Sequence, residues 1–220
     1  WTYKIWKYGL EKNILILSDG KTGHLRQSQA AANIISGYLK TRGFRSTVDT
    51  REVKFKSYQG CLLCLRGFLR KGIYKPLIDI TPDIIISCGS QVAPINSILS
   101  RENRAKSIVI MRPPLFKAGR YDLEIIPEHD KAPKRGNIVV TEGALNLIDE
   151  RYLKEQSDKL MFLAPSCKTL SDICIGLLIG GDTKRFHLKE DVMSELIKQV
   201  KSLAKEFNAD ILLTTSRRTP

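Results

Sequence analysis

Two regions of this sequence gather residue types that can move a proton or hold an anion. The first, Asp19-Gly20-Lys21-Thr22-Gly23-His24, sets a carboxylate, an amine, a hydroxyl and an imidazole directly after the apolar run Asn13-Ile-Leu-Ile-Leu-Ser18. A glycine turn between a strand and a helix points unpaired backbone N–H groups and the positive helix end at a bound anion, and glycine admits close backbone approach. The pattern is neither the dinucleotide fingerprint nor a P-loop. It serves equally well as a tight structural turn or as a phosphate or sugar contact. His24 falls at the helix start, where the helix dipole favours the neutral imidazole, the form that accepts a proton. It is thus a general base, a hydroxyl contact, or a histidine bonded to its own loop. Gln27, one turn later, can face the same crevice.

The second region comprises two loops, Gly180-Gly181-Asp182-Thr183-Lys184 and Thr214-Thr215-Ser216-Arg217-Arg218-Thr219. Each follows an apolar strand, so both open at the same sheet edge, where α/β proteins bind ligands. Arg217 and Arg218 can pair bidentately with a diphosphate while hydroxyls and N–H groups bond the other oxygens; a solvated loop is the plain alternative. Further turns follow strands at Cys88-Gly89-Ser90-Gln91, Pro127-Glu128-His129-Asp130 and Thr141-Glu142-Gly143-Ala144. Glu128, His129 and Asp130 are metal-ligand types, yet consecutive residues rarely converge on one ion, so sugar or hydroxyl contact or loop scaffolding is expected instead. The Cys61-Leu-Leu-Cys64 pair lacks a second pair at zinc spacing. Five cysteines, odd in number and mostly in apolar stretches, indicate reduced, buried thiols. Neither metal nor cofactor is expected.

The elements that must position these groups alternate in type. Strand-length apolar runs at 13–18, 83–87, 106–111, 122–126, 137–141 and 173–179 are separated by helical patterns at 24–40, 93–100, 148–160 and 189–207. Near-continuous apolar strands between helices predict a parallel sheet covered on both faces. Arg112-Pro-Pro114 stops the third run. A polar stretch places a domain boundary between 160 and 171, giving a Rossmann-like domain over 1–165 and the start of a second over 166–220. One βαβ unit cannot cover its own sheet, which predicts that the second domain is incomplete here.

The net charge is +13, and residues 1–78 hold 15 Lys/Arg against 4 Asp/Glu. Such a field favours polyanions: phosphorylated substrates, anionic lipid surfaces or nucleic acid. No recognised nucleic-acid module accompanies it, so nucleic acid is not the expected partner. The segment 62–75 mixes aromatic, aliphatic and basic residues, as an interfacial segment does or as a core-facing helix with a basic edge does. No apolar run reaches membrane-spanning length and the opening residues have no signal-peptide core. The cytoplasm is the expected location, with the inner membrane face as a peripheral site.

Taken together, Ser18-Asp-Gly-Lys-Thr-Gly-His24 with Gln27, Pro127-Glu-His-Asp130, Thr141-Glu-Gly-Ala144, Leu178-Ile-Gly-Gly-Asp182 and Thr214-Thr-Ser-Arg-Arg-Thr-Pro220 resemble the ELM1 family, in a bacterial-type member. The resemblance implies a GT-B glycosyltransferase-like fold, two Rossmann-like domains with the second truncated. It further implies a metal-independent, inverting-type transfer from a nucleotide-diphosphate sugar, as co-substrate, to an envelope or lipid-linked acceptor. In that picture His24 or Asp19 deprotonates or orients the acceptor hydroxyl. Gly20, Gly23, Gln27, Gly89, Ser90 and His129 line the acceptor side. Gly180, Gly181, Asp182, Lys184, Thr214, Thr215, Ser216, Arg217, Arg218 and Thr219 hold the donor. Thr141-Glu-Gly143 departs from the family's more usual basic residue before the glycine, so no role is carried over there. The alternative is a non-enzymatic interaction protein, the role of the plant member.

Overall fold

The computed structural model describes residues 10–53, 81–111, 121–165, 167, 170–182, 187–216 and 219. The Cys61–Cys64 pair, the mixed segment 62–75, Arg112-Pro-Pro114, Lys184, Arg217 and Arg218 lie outside them. In chain order the first unit has β1 (Glu11–Ser18), α1 (Thr22–Thr41), β2 (Arg45–Glu52), β3 (Ile84–Cys88), α2 (Ala93–Asn103), β4 (Lys106–Ile110), β5 (Leu123–Pro127) and β6 (Ile138–Thr141). The strands form one six-stranded sheet of order β2-β1-β3-β4-β5-β6, and every pairing is parallel.

The continuous apolar run of β1 is explained by what covers it. Ile14 and Ile16 pack with Ala31, Ala32 and Leu39 of α1, whereas Leu15 and Leu17 pack with Ile95, Ile98 and Leu99 of α2. Successive side chains leave a strand on opposite faces, so a strand with a helix on each side must be apolar throughout. β2 is the exception, and the apolar pattern does not announce it. Its sequence, Arg45-Ser-Thr-Val-Asp-Thr-Arg-Glu52, is mostly polar, yet it pairs with β1 along its whole length. As an edge strand it is largely exposed and can carry charged residues.

Buried polar groups hold the layers in place. Asn96, fully buried on α2, donates its amide to Ile85 O at 3.2 Å, Ser87 Oγ at 2.9 Å and Ile108 O at 2.8 Å. Its Oδ1 accepts from Ser100 Oγ at 2.8 Å. This network ties the first turns of α2 to β3 and β4 and so fixes the short loop that joins β3 to α2.

At the amino edge of the sheet, carboxylates join neighbouring strands. Asp83 accepts from Lys12 Nζ at 3.2 Å and Asn13 N at 3.0 Å. Asp122 accepts from Lys106 Nζ at 2.7 Å, and from both the N–H and the hydroxyl of Ser107 at 2.9 Å. Burial by itself would raise the Asp122 pKa, but the bonds from Lys106 and Ser107 outweigh it and hold the carboxyl below its ordinary 3.8. A carboxyl depressed in the folded state contributes stability that is present above its unfolded pKa and is lost as pH falls through the folded value. The melting temperature is therefore expected to fall on acidification below pH 3.8, and less steeply in Asp122→Asn. Parallel thermal scans of both proteins from pH 5 to pH 2, a span of about three units around the carboxylate range, check this.

The chain divides after Ile148 into two units by its contacts. The second holds α3 (Glu150–Leu163), β7 (Cys174–Ile179), α4 (Glu190–Glu206) and β8 (Asp210–Thr215). Asp149 caps α3 by accepting from Tyr152 N at 2.7 Å, so this helix starts with the second unit, ahead of the boundary expected between 160 and 171. β7 and β8 pair in parallel, with Ile179 opposite Thr215. Thr214 and Thr215, read from sequence as loop, are thus the last residues of a strand. Among the described residues no helix is long and apolar enough to cross a membrane.

Candidate functional site

The first unit reverses direction at β1. From β1 the chain crosses to β2 on one side and then returns to place β3 on the other. In open parallel sheets such a reversal leaves a crevice at the strand carboxyl ends, because the two connecting loops diverge there. The loop after β1 holds Asp19 to Lys21 and leads into the first turn of α1 with His24, and the loop after β3 holds Gly89 to Gln91.

Local bonding shapes the first loop. Ser18 Oγ accepts the N–H of Gly20 at 3.1 Å, and Asp19 Oδ1 accepts the N–H of Lys21 at 3.2 Å. Gly20 takes φ +78°, a conformation that side chains resist. A Cβ there would also stand 3.0 Å from Glu52 Oε1, at the carboxyl end of β2. Gly23 and Thr22 begin α1 and are exposed.

The turn brings His24 back onto Asp19. Its Nδ1 lies 2.9 Å from Asp19 Oδ2, and Lys21 Nζ is 3.2 Å from the same oxygen. The Asp19 side chain is only 2% exposed and that of His24 20%. Burial pushes the Asp19 carboxyl up, but the His24 and Lys21 hydrogen bonds together leave it below the ordinary 3.8. An ionised carboxylate only accepts, so the imidazole proton stays on Nδ1 and Nε2 is the nitrogen left for chemistry. A ring held in a fixed tautomer in this way can serve as the oriented half of an acid–base site.

The loop after β3 completes the enclosure. Gly89 has φ +91°, and a Cβ on it would fall 2.6 Å from Cε1 and 2.7 Å from Nδ1 of His24. The imidazole therefore rests on a backbone position that has room for nothing larger than hydrogen. Ser90 and Gln91 beyond it are exposed. Cys88, one residue back, is 1% exposed, and burial together with the Asp19 charge pushes its thiol up to about 12. Such a thiol stays protonated and is no nucleophile. Gln27 lies one turn along α1 from His24 and is partly buried, with an Oε1 that has no bonding partner among the described residues.

His129 is not part of this group. It sits on the turn Glu128–Asp130 after β5, with its side chain 68% exposed. Two strands, β3 and β4, separate β5 from β1, which is roughly 14 Å across the sheet at the usual interstrand spacing.

In the second unit, the loops after β7 and β8 are stitched together. Thr219 Oγ1 donates to Gly180 O at 2.8 Å and accepts from Ser216 N at 2.9 Å. Asp182 is engaged within its own loop. It accepts from Leu188 N at 2.8 Å, and its other oxygen lies 2.9 Å from His187 Nδ1. The sequence reading passed over His187, although its spacing from Asp182 repeats that of His24 from Asp19. Gly181 is partly buried, while Gly180, Thr214 and Thr215 are exposed.

A six-stranded parallel sheet with helices on both faces, and polar loops at the point where strand order reverses, defines a Rossmann-like α/β protein. The chain belongs to the family described as "Mitochondrial fission ELM1", whose profile matches residues 22–220. The match takes in His24, Gly89 and both loops of the second unit and begins three residues after Asp19. No curated protein and no solved structure matches the chain.

Proposed function

We propose that this ELM1-family protein is a glycosyltransferase of GT-B type that moves a sugar from a nucleotide diphosphate to an envelope or lipid-linked acceptor, without a metal, at the cytoplasmic side of the membrane. The observation that carries the reading is the imidazole of His24, held by a buried carboxylate against Gly89 at the β1/β3 reversal. In the proposed reaction the acceptor hydroxyl gives its proton to His24 Nε2 as its oxygen attacks the anomeric carbon. The bond from that carbon to the diphosphate breaks, and the nucleoside diphosphate leaves with the electron pair. Arg217, Arg218, Lys184 and the N–H groups near Gly181 would meet that growing charge. Gly20, Gly23, Gln27 and Ser90 would contact the acceptor, and the basic first third would favour an anionic surface or lipid-linked substrate.

The family's description names mitochondrial fission and no chemical reaction, which leaves room for a second reading, a non-enzymatic interaction protein that retains the fold and docks a partner through its basic first unit. Thermal stabilisation separates the two. In the transferase reading one nucleotide diphosphate or its sugar stabilises the full-length protein by about 2.7 kcal/mol at a hundredfold excess over Kd, by mass action. Arg217→Ala abolishes that shift. A folded protein that responds to no nucleotide at millimolar concentration would turn the conclusion to the interaction reading.

A further inference from the structure

The loop after β1 meets a second carboxylate on the side away from His24. Glu52, the last residue of β2, is exposed and pairs opposite Ser18. Val53 N donates to Ser18 O at 2.8 Å, which pins the end of β2 against β1. Partners in register leave a sheet on the same face, so Glu52 emerges with Ser18, Ile16 and Ile14 on the face that α1 covers. Its Oε1 stands 3.0 Å from the place of a Cβ on Gly20. The carboxylate therefore lies against the backbone of the loop that carries Asp19 and leads to His24.

The bonding groups gathered at this loop are of two kinds. The acceptors are Nε2 of His24, the Glu52 carboxylate and Gln27 Oε1, which is buried and has no partner among the described residues. A carboxylate has about four lone-pair sites, so Glu52 can serve a protein partner and a ligand together. The donors are the first N–H groups of α1, which a helix leaves unbonded. Lys21, the N-cap, gives them no side-chain bond, the first turn holds no acid, and Thr22 and Gly23 are exposed. The ammonium of Lys21 is turned instead to Asp19 Oδ2 at 3.2 Å. A phosphate suits the donors alone, because its oxygens would meet the Glu52 carboxylate and the Nε2 lone pair. A hydroxyl donates and accepts at once, so several on one frame satisfy both kinds. β2 and β3 flank β1 and stand roughly 10 Å apart at the usual interstrand spacing, a span that a ring with hydroxyls on both sides bridges and a lone phosphate does not.

We propose that this crevice receives the ring of a neutral sugar, with one hydroxyl at His24 Nε2 and another at Glu52, and that Glu52 is the residue that selects a polyhydroxyl ligand over a phosphate. The inference rests on the acceptor-side reading above for the crevice itself. It goes past that reading in deciding between sugar and phosphate at the glycine turn and in adding a residue from β2.

The test uses the full-length protein labelled with 15N-histidine and titrated separately, to high millimolar concentration and at matched ionic strength, with glucose, mannose, N-acetylglucosamine and inorganic phosphate. At least one of the three sugars is expected to move the His24 ring resonances saturably, and phosphate to leave them in place. Glu52→Ala is expected to weaken that sugar's binding about 10- to 100-fold, the loss of one hydrogen bond to a charged acceptor. Glu52→Gln, which keeps a carbonyl acceptor, loses less. Ligand-free melting temperatures and His24 resonances equal to those of the parent show that neither variant disturbs the fold or the seat of the ring. His24 resonances that respond to phosphate and to none of the sugars, or to no ligand at all, overturn the inference. So does a sugar that binds Glu52→Ala as tightly as the parent; if a nucleotide diphosphate still stabilises the protein, the transferase reading survives that result. Sugar binding that depends on Glu52, in a protein that no nucleotide stabilises, would keep the sugar site and sink the transferase reading.

Discussion

Replacing Asp19 with Asn is expected, in the transferase reading, to lower the rate of sugar transfer about 10²- to 10⁴-fold, the range that a positioned general base supplies. The loss follows from the tautomer. An asparagine that turns its amide N–H₂ toward the ring forces the imidazole proton onto Nε2, where a base needs a lone pair. One that offers its carbonyl keeps the tautomer but removes the negative charge that stabilises the imidazolium formed on proton uptake. Folding should be spared, since asparagine matches the size of the side chain and the hydrogen bonds and ion pairs of Asp19 run to Lys21 and His24, two and five residues along the chain. Turnover at saturating donor and acceptor, read beside the 15N shifts of His24, checks the expectation. A changed tautomer with undiminished turnover would remove His24 from the role of base.

Gly89→Ala is expected to destabilise the protein by about 1–3 kcal/mol, the usual cost of a side chain held in a sparsely populated backbone region. It should also dislodge His24, because the new methyl would overlap its ring at 2.6 Å. Gly20→Ala supplies the comparison. That residue has a similar positive φ of +78°, but its Cβ would meet the flexible Glu52 carboxylate at 3.0 Å, where the neighbour can move. Both variants should therefore lose stability in urea denaturation, and only Gly89→Ala should alter the His24 resonances. Equal effects on His24 in the two variants would overturn the claim that Gly89 seats the ring.

Much of the frame was legible before the fold was known. β1, the glycine turn and α1 follow from an apolar run of strand length, from Gly20 and from the helical spacing of Leu25, Ala31, Ala32, Ile35 and Leu39. The same reasoning located β3, β4, β5, β6, β7 and β8 to within a few residues. Two features escaped it for one reason: apolar patterning reports burial, and these parts are exposed. β2 carries charge because it is an edge strand, and β8 runs on through Thr214 and Thr215 in open solvent. His187 escaped differently. It lies in a polar loop whose contact with Asp182 shows only when the spacing of the pair is set beside that of Asp19 and His24.

The sequence by itself determined the alternation of strands and helices, the parallel sheet that this alternation requires, and the family. It also placed Asp19 and His24 in one turn, since their contact spans only a local loop whose geometry nearby residues set. What only the tertiary structure decided is the seat of the imidazole. Gly89 is 65 residues from His24 in the chain and reaches it because Leu17 of β1 pairs with Ser87 of β3, which brings the two strand ends side by side. That register depends on helices packed on both faces of the sheet, on the Asn96 network that fixes the loop, and on the order in which strands join. His129 follows the same logic in the opposite direction. Its residue type suited the site, but its strand was added two places further along the sheet.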